Sequence, residues 1–265
     1  MSTESNIELS AADLILNLLE GHDRHRLSVQ SLTRGAELFR IREQAVRVAL
    51  TRLIGQGKIT SPSRGQYELN VVGSTLLGDI ENWLRMEERA VPWNGQWLGV
   101  SDAAVPRRQK VAWRRHLKAL ALRGFELLQE GFWVRPDNIK GSATGLRADL
   151  QSLGLAHGAL VMSLTALDES NELRARSLWD SQALEHQYRA MLEALRDSRR
   201  QLEKAPLESA ARESLLLGRA AIRLILHDPL LPDELMAGNR RRELIAAMRE
   251  YQRWAKSVWM EFLGE

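Results

Sequence analysis

Five side chains between positions 44 and 52 are of the types that recognise the edges of bases. At about 100° per residue, a helix over this stretch places Gln44, Val48, Thr51 and Arg52 on one face, with Arg47 on its shoulder. Arginine pairs with the two acceptors of guanine, glutamine with adenine, and a valine methyl meets the methyl of thymine. The opposite side, Val46, Ala49, Leu50, Leu53 and Ile54, follows i, i+3, i+4, i+7, i+8 and predicts one core-facing stripe. An ordinary solvated face more often carries acid–base pairs four residues apart, and Glu43 is the only acid here. By itself this helix leaves a groove reader and a plain surface helix as competing readings.

The elements around it narrow the choice. Ser10 is expected to cap a first helix, with Leu9 and Leu14 at staple spacing, Leu14, Ile15, Leu18 and Leu19 as its apolar stripe, and Gly21 at its end. Ser28 is expected to cap a second helix, which runs to about Glu37, with Leu27 and Leu32 at the same spacing. The third runs from about Glu43 to Ile54, although Arg42 is a poor residue to start a helix. Lys58-Ile59-Thr60 and Tyr67-Glu68-Leu69 then read as two strands, joined by the turn Ser61-Pro62-Ser63-Arg64-Gly65-Gln66. Three helices followed by a basic-tipped hairpin is the order of a winged helix, whose third helix enters the major groove while the wing meets the backbone or minor groove. Lys58 and Arg64 thereby join Gln44, Arg47, Val48, Thr51 and Arg52 as candidate DNA contacts. Some winged helices bind proteins instead.

Composition is compatible with this. The 265 residues suit two or three domains, and 44% hydrophobic with 27% charged residues are globular proportions. With no cysteine there are neither disulfides nor thiolate metal ligands. The net charge is only +3, but it is unevenly spread. From Arg24 to Arg64 there are nine Lys/Arg against two acids, and from Val105 to Gly124 seven against none. Clustered positive charge suits phosphates, and equally an exposed helix face. The start MSTESNIELS is polar and no apolar run nears the ~20 residues of a membrane helix, so a cytoplasmic protein without a membrane partner is expected.

Beyond the hairpin, residues 76–92 suggest a linking helix, and residues 93–168 a βαββαβ unit of ferredoxin-like order. Its elements are a strand Trp97–Val100, a basic helix from about Pro106 to Leu122, a hairpin of Phe125–Gln129 with Phe132–Val134 turning at Glu130-Gly131, a helix Ser142–Leu153 and a strand Ala159–Leu164. Residues 169–265 are expected to be helical. The fold class is therefore α+β and multidomain: a winged helix-turn-helix over 1–75, the linker, a ferredoxin-like centre and an all-helical C-terminal domain.

Several segments together resemble the PaaX family of bacterial regulators, the repressors of phenylacetate degradation. They are AVRVALTRLIGQGKI (45–59), RGQYELN (64–70), WNGQWLGV (93–100), RGFELLQEGFWVRPDN (123–138), LWD (178–180) with Tyr188, and HDPLLPDEL (227–235). Each is weak alone; in this order, across nearly the whole chain, they are fairly specific. Arg42 departs from the small capping residue common at that point. The resemblance implies a homodimer that binds operator DNA, represses a catabolic operon, and leaves the DNA on binding an aryl-acyl-CoA such as phenylacetyl-CoA. Within the basic segment, Arg107 and Arg108 are the candidates for the effector's phosphates, with a solvated outer face as the competing reading.

Enzyme signatures are missing: no phosphate-binding glycine loop, no G-x-S-x-G, no H-E-x-x-H, and six scattered histidines. No catalytic residue, cofactor or metal site is assigned. Ferredoxin-like scaffolds do occur in CRISPR-associated nucleases, with an acid near the end of the first strand where Asp102 stands. One carboxylate makes a poor metal site, so Asp102 is expected to be a surface loop acid. A metal-dependent nuclease and a winged helix that binds only proteins remain the alternatives.

Overall fold

A computed structural model describes residues 9–22, 24–70, 83–84, 86–236 and 240–264. The chain is α+β, with helices and two small antiparallel sheets among the described residues. Its contacts divide it into two compact units. The first comprises Met1–Glu81, Leu195–Arg219 and Met248–Glu265, and the second Asn82–Ala194 with Ala220–Ala247.

In the first unit, α1 (Ala11–Gly21) starts where Ser10 Oγ accepts the Asp13 N–H at 3.1 Å. Ser28 Oγ does the same for Ser31 at 2.9 Å and opens α2 (Val29–Glu37). Between them lies a strand that the sequence did not suggest, β1 (Arg26–Ser28). It pairs with β3 (Gln66–Leu69), which also pairs with β2 (Ile59–Ser63), so the sheet order is β1-β3-β2. Arg26 faces Glu68 across the ladder and bonds to it at 2.7 Å.

The core of this unit collects Leu14, Leu18, Leu32, Val46, Leu50, Leu53, Ile59 and Leu69, together with Ala211, Val258, Trp259 and Phe262. Each buried leucine contributes about 1.5–3 kcal/mol. α3 (Glu43–Gly55) buries Val46, Ala49, Leu50 and Leu53, as its periodicity predicted. Ile54 does not join them and is 42% exposed. Eight residues after Val46 it has rotated about 80° from that residue's direction, and the helix ends one position later, at Gly55.

In the second unit, β4 (Trp97–Ser101), α4 (Lys110–Leu122), β5 (Glu126–Gln129), β6 (Phe132–Pro136), α5 (Ser142–Leu153) and β7 (Leu160–Leu164) follow in βαββαβ order. The sheet order is β5-β6-β4-β7, all neighbours antiparallel. Successive residues of β4 point to opposite faces. Leu98 and Val100 enter a core with Leu120, Leu146, Leu150 and Val161, whereas Trp97 joins Trp93, Val134 and Ala175. Trp93 meets Trp97 edge-on at 5.2 Å, and Trp179 stacks on Trp97 at 6.1 Å. The expected linking helix over 76–92 falls partly outside the described residues. Within them Trp83 and Leu84 are helical and Glu87–Arg89 form one 3-10 turn.

Four helices follow: α6 (Glu169–Arg176), α7 (Ser181–Leu202), α8 (Leu207–Leu226) and α9 (Arg241–Leu263). The last three contribute residues to both units. Within the second unit a buried polar network fixes the segment after α8. Tyr188 donates its hydroxyl proton to Asp228 Oδ2, while Asp228 Oδ1 accepts from the Leu230 N–H at 2.6 Å and from Arg241 at 3.4 Å. Arg135, only 1% exposed, spends its donors on carbonyls of Arg123, Pro136 and Pro229 and on Asn138 Oδ1. Burial, and then the charge of Arg89, lower its pKa to about 9. Among the described residues, no helix is long and apolar enough to cross a membrane.

Candidate nucleic-acid interface

The outer face of α3 is formed as its spacing predicts: Gln44, Arg47, Val48, Thr51 and Arg52 are all exposed. Val48 is 64% exposed, an apolar group in water on an otherwise polar face. No side chain caps the helix at Arg42, so its start rests on the bonds that the Arg42 carbonyl accepts from Ala45 (2.9 Å) and Val46 (3.2 Å). Glu43, in the first turn, suits the positive end of the helix dipole. Its Oε1 accepts both Nε and Nη2 of Arg47, at 2.9 and 2.6 Å. The Thr51 hydroxyl is turned inward along the helix, donating to the Arg47 carbonyl at 3.1 Å.

The hairpin is tighter than expected. After a register shift beyond Thr60, strand pairing resumes with Ser63 opposite Gln66 and leaves only Arg64-Gly65 to turn, with Gly65 at a φ of +75° that favours glycine. Pro62 is tolerated because β2 is an edge strand. Ser61 Oγ braces the loop by donating to the carbonyls of Gln66 and Ser63, at 3.0 and 3.1 Å. The tip is itself held, since the Gly65 carbonyl accepts the Val29 N–H at 2.8 Å. Arg64 is exposed at that tip. Lys58 lies half-buried between α3 and β2, its N–H bonded to the Leu53 carbonyl at 3.0 Å. All seven candidate residues thus belong to α3, the hairpin beside it or the short connection between them, within the first unit.

In the second unit Arg107 and Arg108 precede the helix, which starts at Lys110 and not near Pro106. The two side chains go to different places. Arg107 reaches Glu130 at 3.3 Å and lies over the Trp113 ring at 5.2 Å. Arg108 lines an open pocket of about 660 Å³ with Lys110, Arg115, Gly154, Leu155 and Ala156. Lys110 and Arg115 stand out from the rest of the basic segment only once Gly154–Ala156 are brought against them, which helical spacing alone does not reveal.

Asp102 is not a surface acid. It is 1% exposed; its Oδ2 accepts from His116 Nε2 at 3.1 Å and from Trp133 Nε1 at 2.8 Å. His116 Nδ1 in turn accepts the Ala156 N–H at 3.2 Å, which assigns the ring proton to Nε2. The carboxylate therefore ties β4 to α4 and β6. Among the described residues no group of three His, Cys, Asp or Glu is placed to hold a metal ion.

Comparison with known proteins finds a family likeness over part of the chain. Residues 179–261 match the model of the PaaX-like protein C-terminal domain. Among solved structures, the uncharacterized protein Rv0674 from Mycobacterium tuberculosis aligns over 96% of this chain and 99% of its own, with a TM-score of 0.67 at 22% identity. At that identity the likeness is one of fold. Curated proteins returned no significant match. Over residues 179–261, then, this chain is similar to the C-terminal domain of PaaX-like proteins.

Proposed function

We propose that this chain is a transcriptional regulator that binds a specific operator through a winged helix formed by α1–α3 and the β2–β3 hairpin. The observation that carries the reading is the outer face of α3. Gln44, Arg47, Val48, Thr51 and Arg52 stand exposed together, beside a hydrogen-bonded turn that presents Arg64. α3 enters the major groove, where Arg47 and Gln44 meet base acceptors and Val48 a thymine methyl. Arg64, with Lys58 and Arg52, meets phosphates and sets the register. The βαββαβ unit acts as a ferredoxin-like centre, and the helices from α6 onward complete the regulator.

The PaaX-like domain supports a finer reading: a homodimeric, cytoplasmic repressor of a catabolic operon, released by an aryl-acyl-CoA such as phenylacetyl-CoA. Arg108 suits the effector's phosphates better than Arg107, because it lines a pocket with two further cations while Arg107 already has Glu130. The test is a gel shift on the fragment upstream of the protein's own gene, against a panel of acyl-CoAs. One thioester should dissociate the complex while free coenzyme A does not. If none changes the shift, the effector reading fails; if no fragment shifts better than random DNA, the regulator reading fails.

A further inference from the structure

The ion pair at the start of α3 assigns a role to a residue outside the base-reading face. Glu43 Oε1 takes the side edge of the Arg47 guanidinium, Nε and Nη2 at 2.9 and 2.6 Å. A guanidinium has five N–H donors in a rigid plane. Two are used by Glu43, and Nη1 has no partner among the described residues. The end edge, Nη1 with the second hydrogen of Nη2, remains open and is the edge that pairs with O6 and N7 of guanine.

The surroundings make this carboxylate unusual. From Leu38 to Tyr67 Glu43 is the only acid, against six Lys/Arg. A lone carboxylate on a surface otherwise suited to phosphate weakens binding to DNA of any sequence. Its position in the first turn stabilises the helix dipole, but a carboxylate at any first-turn position would do that. Among first-turn positions, only those three or four residues before Arg47 lie beside that guanidinium. Both side chains are exposed, so the pair by itself contributes little to stability.

We propose, resting on the DNA-binding reading above, that Glu43 is a positioning residue for operator specificity. It fixes Arg47 with its end edge outward, so that Arg47 reads a guanine in each half-site instead of wrapping onto the nearest phosphate. Removing Glu43 leaves Arg47 free to contact phosphate at any sequence. Affinity for random DNA then rises while discrimination at that one base falls.

The experiment measures anisotropy of full-length protein on the upstream fragment, with each base pair of the site substituted in turn. The wild type, Glu43→Ala, Glu43→Gln, Arg47→Ala and the Glu43→Ala, Arg47→Ala double variant are compared, and the melting temperature of each is recorded. Glu43→Ala should lose about three- to tenfold of the preference at the base pair that Arg47→Ala also affects, and none elsewhere. Glu43→Gln, which keeps an acceptor, should recover part of it. The double variant should be no worse at that base pair than Arg47→Ala. Full discrimination in Glu43→Ala, or an equal loss at every base pair, overturns the inference and leaves the DNA-binding reading standing. Absence of any preference in the wild type overturns both.

Discussion

His116 Nε2 donates to Asp102 Oδ2 at 3.1 Å, with the two side chains 0% and 1% exposed. The same oxygen accepts from Trp133, so a single carboxylate joins three elements of the second unit. Asp102→Ala leaves the buried His116 donor and the half-buried Trp133 donor without an acceptor, at about 1–3 kcal/mol for the first and less for the second. The expected result is a clear fall in the urea midpoint at unchanged slope, with DNA affinity retained below the new transition. Lost DNA affinity in a fully folded variant would instead give Asp102 a direct functional role.

Gly124 combines a φ of +67° with a close approach to the segment that Tyr188 and Arg135 fix. A Cβ there would lie 2.7 Å from the Pro229 carbonyl oxygen, an atom that cannot easily move. Gly124→Ala should destabilise by roughly 2 kcal/mol or more, seen as a lower melting temperature. Gly21→Ala, where the added methyl meets nothing within 4 Å, is the control and should melt close to the wild type.

Asp149 governs part of the acid response. Burial raises its pKa, but the hydrogen bond from Arg123 and the charges of Arg123 and Arg89 outweigh this, so the net shift is downward from 3.8. A carboxyl with a depressed folded-state pKa contributes stability above its unfolded value that is lost as pH falls through the folded one. Asp149→Asn should therefore cost about 1–3 kcal/mol at pH 7. The difference from wild type should shrink below about pH 4, as measured by urea unfolding across pH.

Arg64 and Gln44 should separate two kinds of contact. Arg64→Ala is expected to weaken binding to every sequence alike and to reduce the salt slope by about one. Gln44→Ala should instead cost about 1–3 kcal/mol at one base pair per half-site. A uniform loss from Gln44→Ala would mean that α3 presents another face to the groove.

What the sequence disclosed is local. Ser10, Ser28 and the span of α5 were legible because caps and glycines lie beside what they control. The stripe of α3 was legible through Leu53 and failed at Ile54, where the helix runs out. β1 was missed because three residues carry no period, and its partner β3 lies about forty residues on, Arg26 opposite Glu68. Asp102 was misplaced for a similar reason, since His116 and Trp133 reach it only after the sheet has formed. Pro106 suggested a helix start that the chain delays to Lys110. The exposed candidates on α3 and the i, i+4 spacing of Glu43 and Arg47 needed only helical geometry, whereas the edge of the guanidinium that Glu43 takes needed side-chain conformations.

The central claim is that α3 and its hairpin read a specific DNA sequence. It is tested most directly by a salt titration of binding to the upstream fragment and to a shuffled fragment of equal composition. The expected Kd is roughly 10⁻⁸ to 10⁻¹¹ M for the first at physiological salt, at least about a thousandfold tighter than for the second, with steep salt dependence for both. Equal affinity for the two fragments at every salt concentration would contradict it.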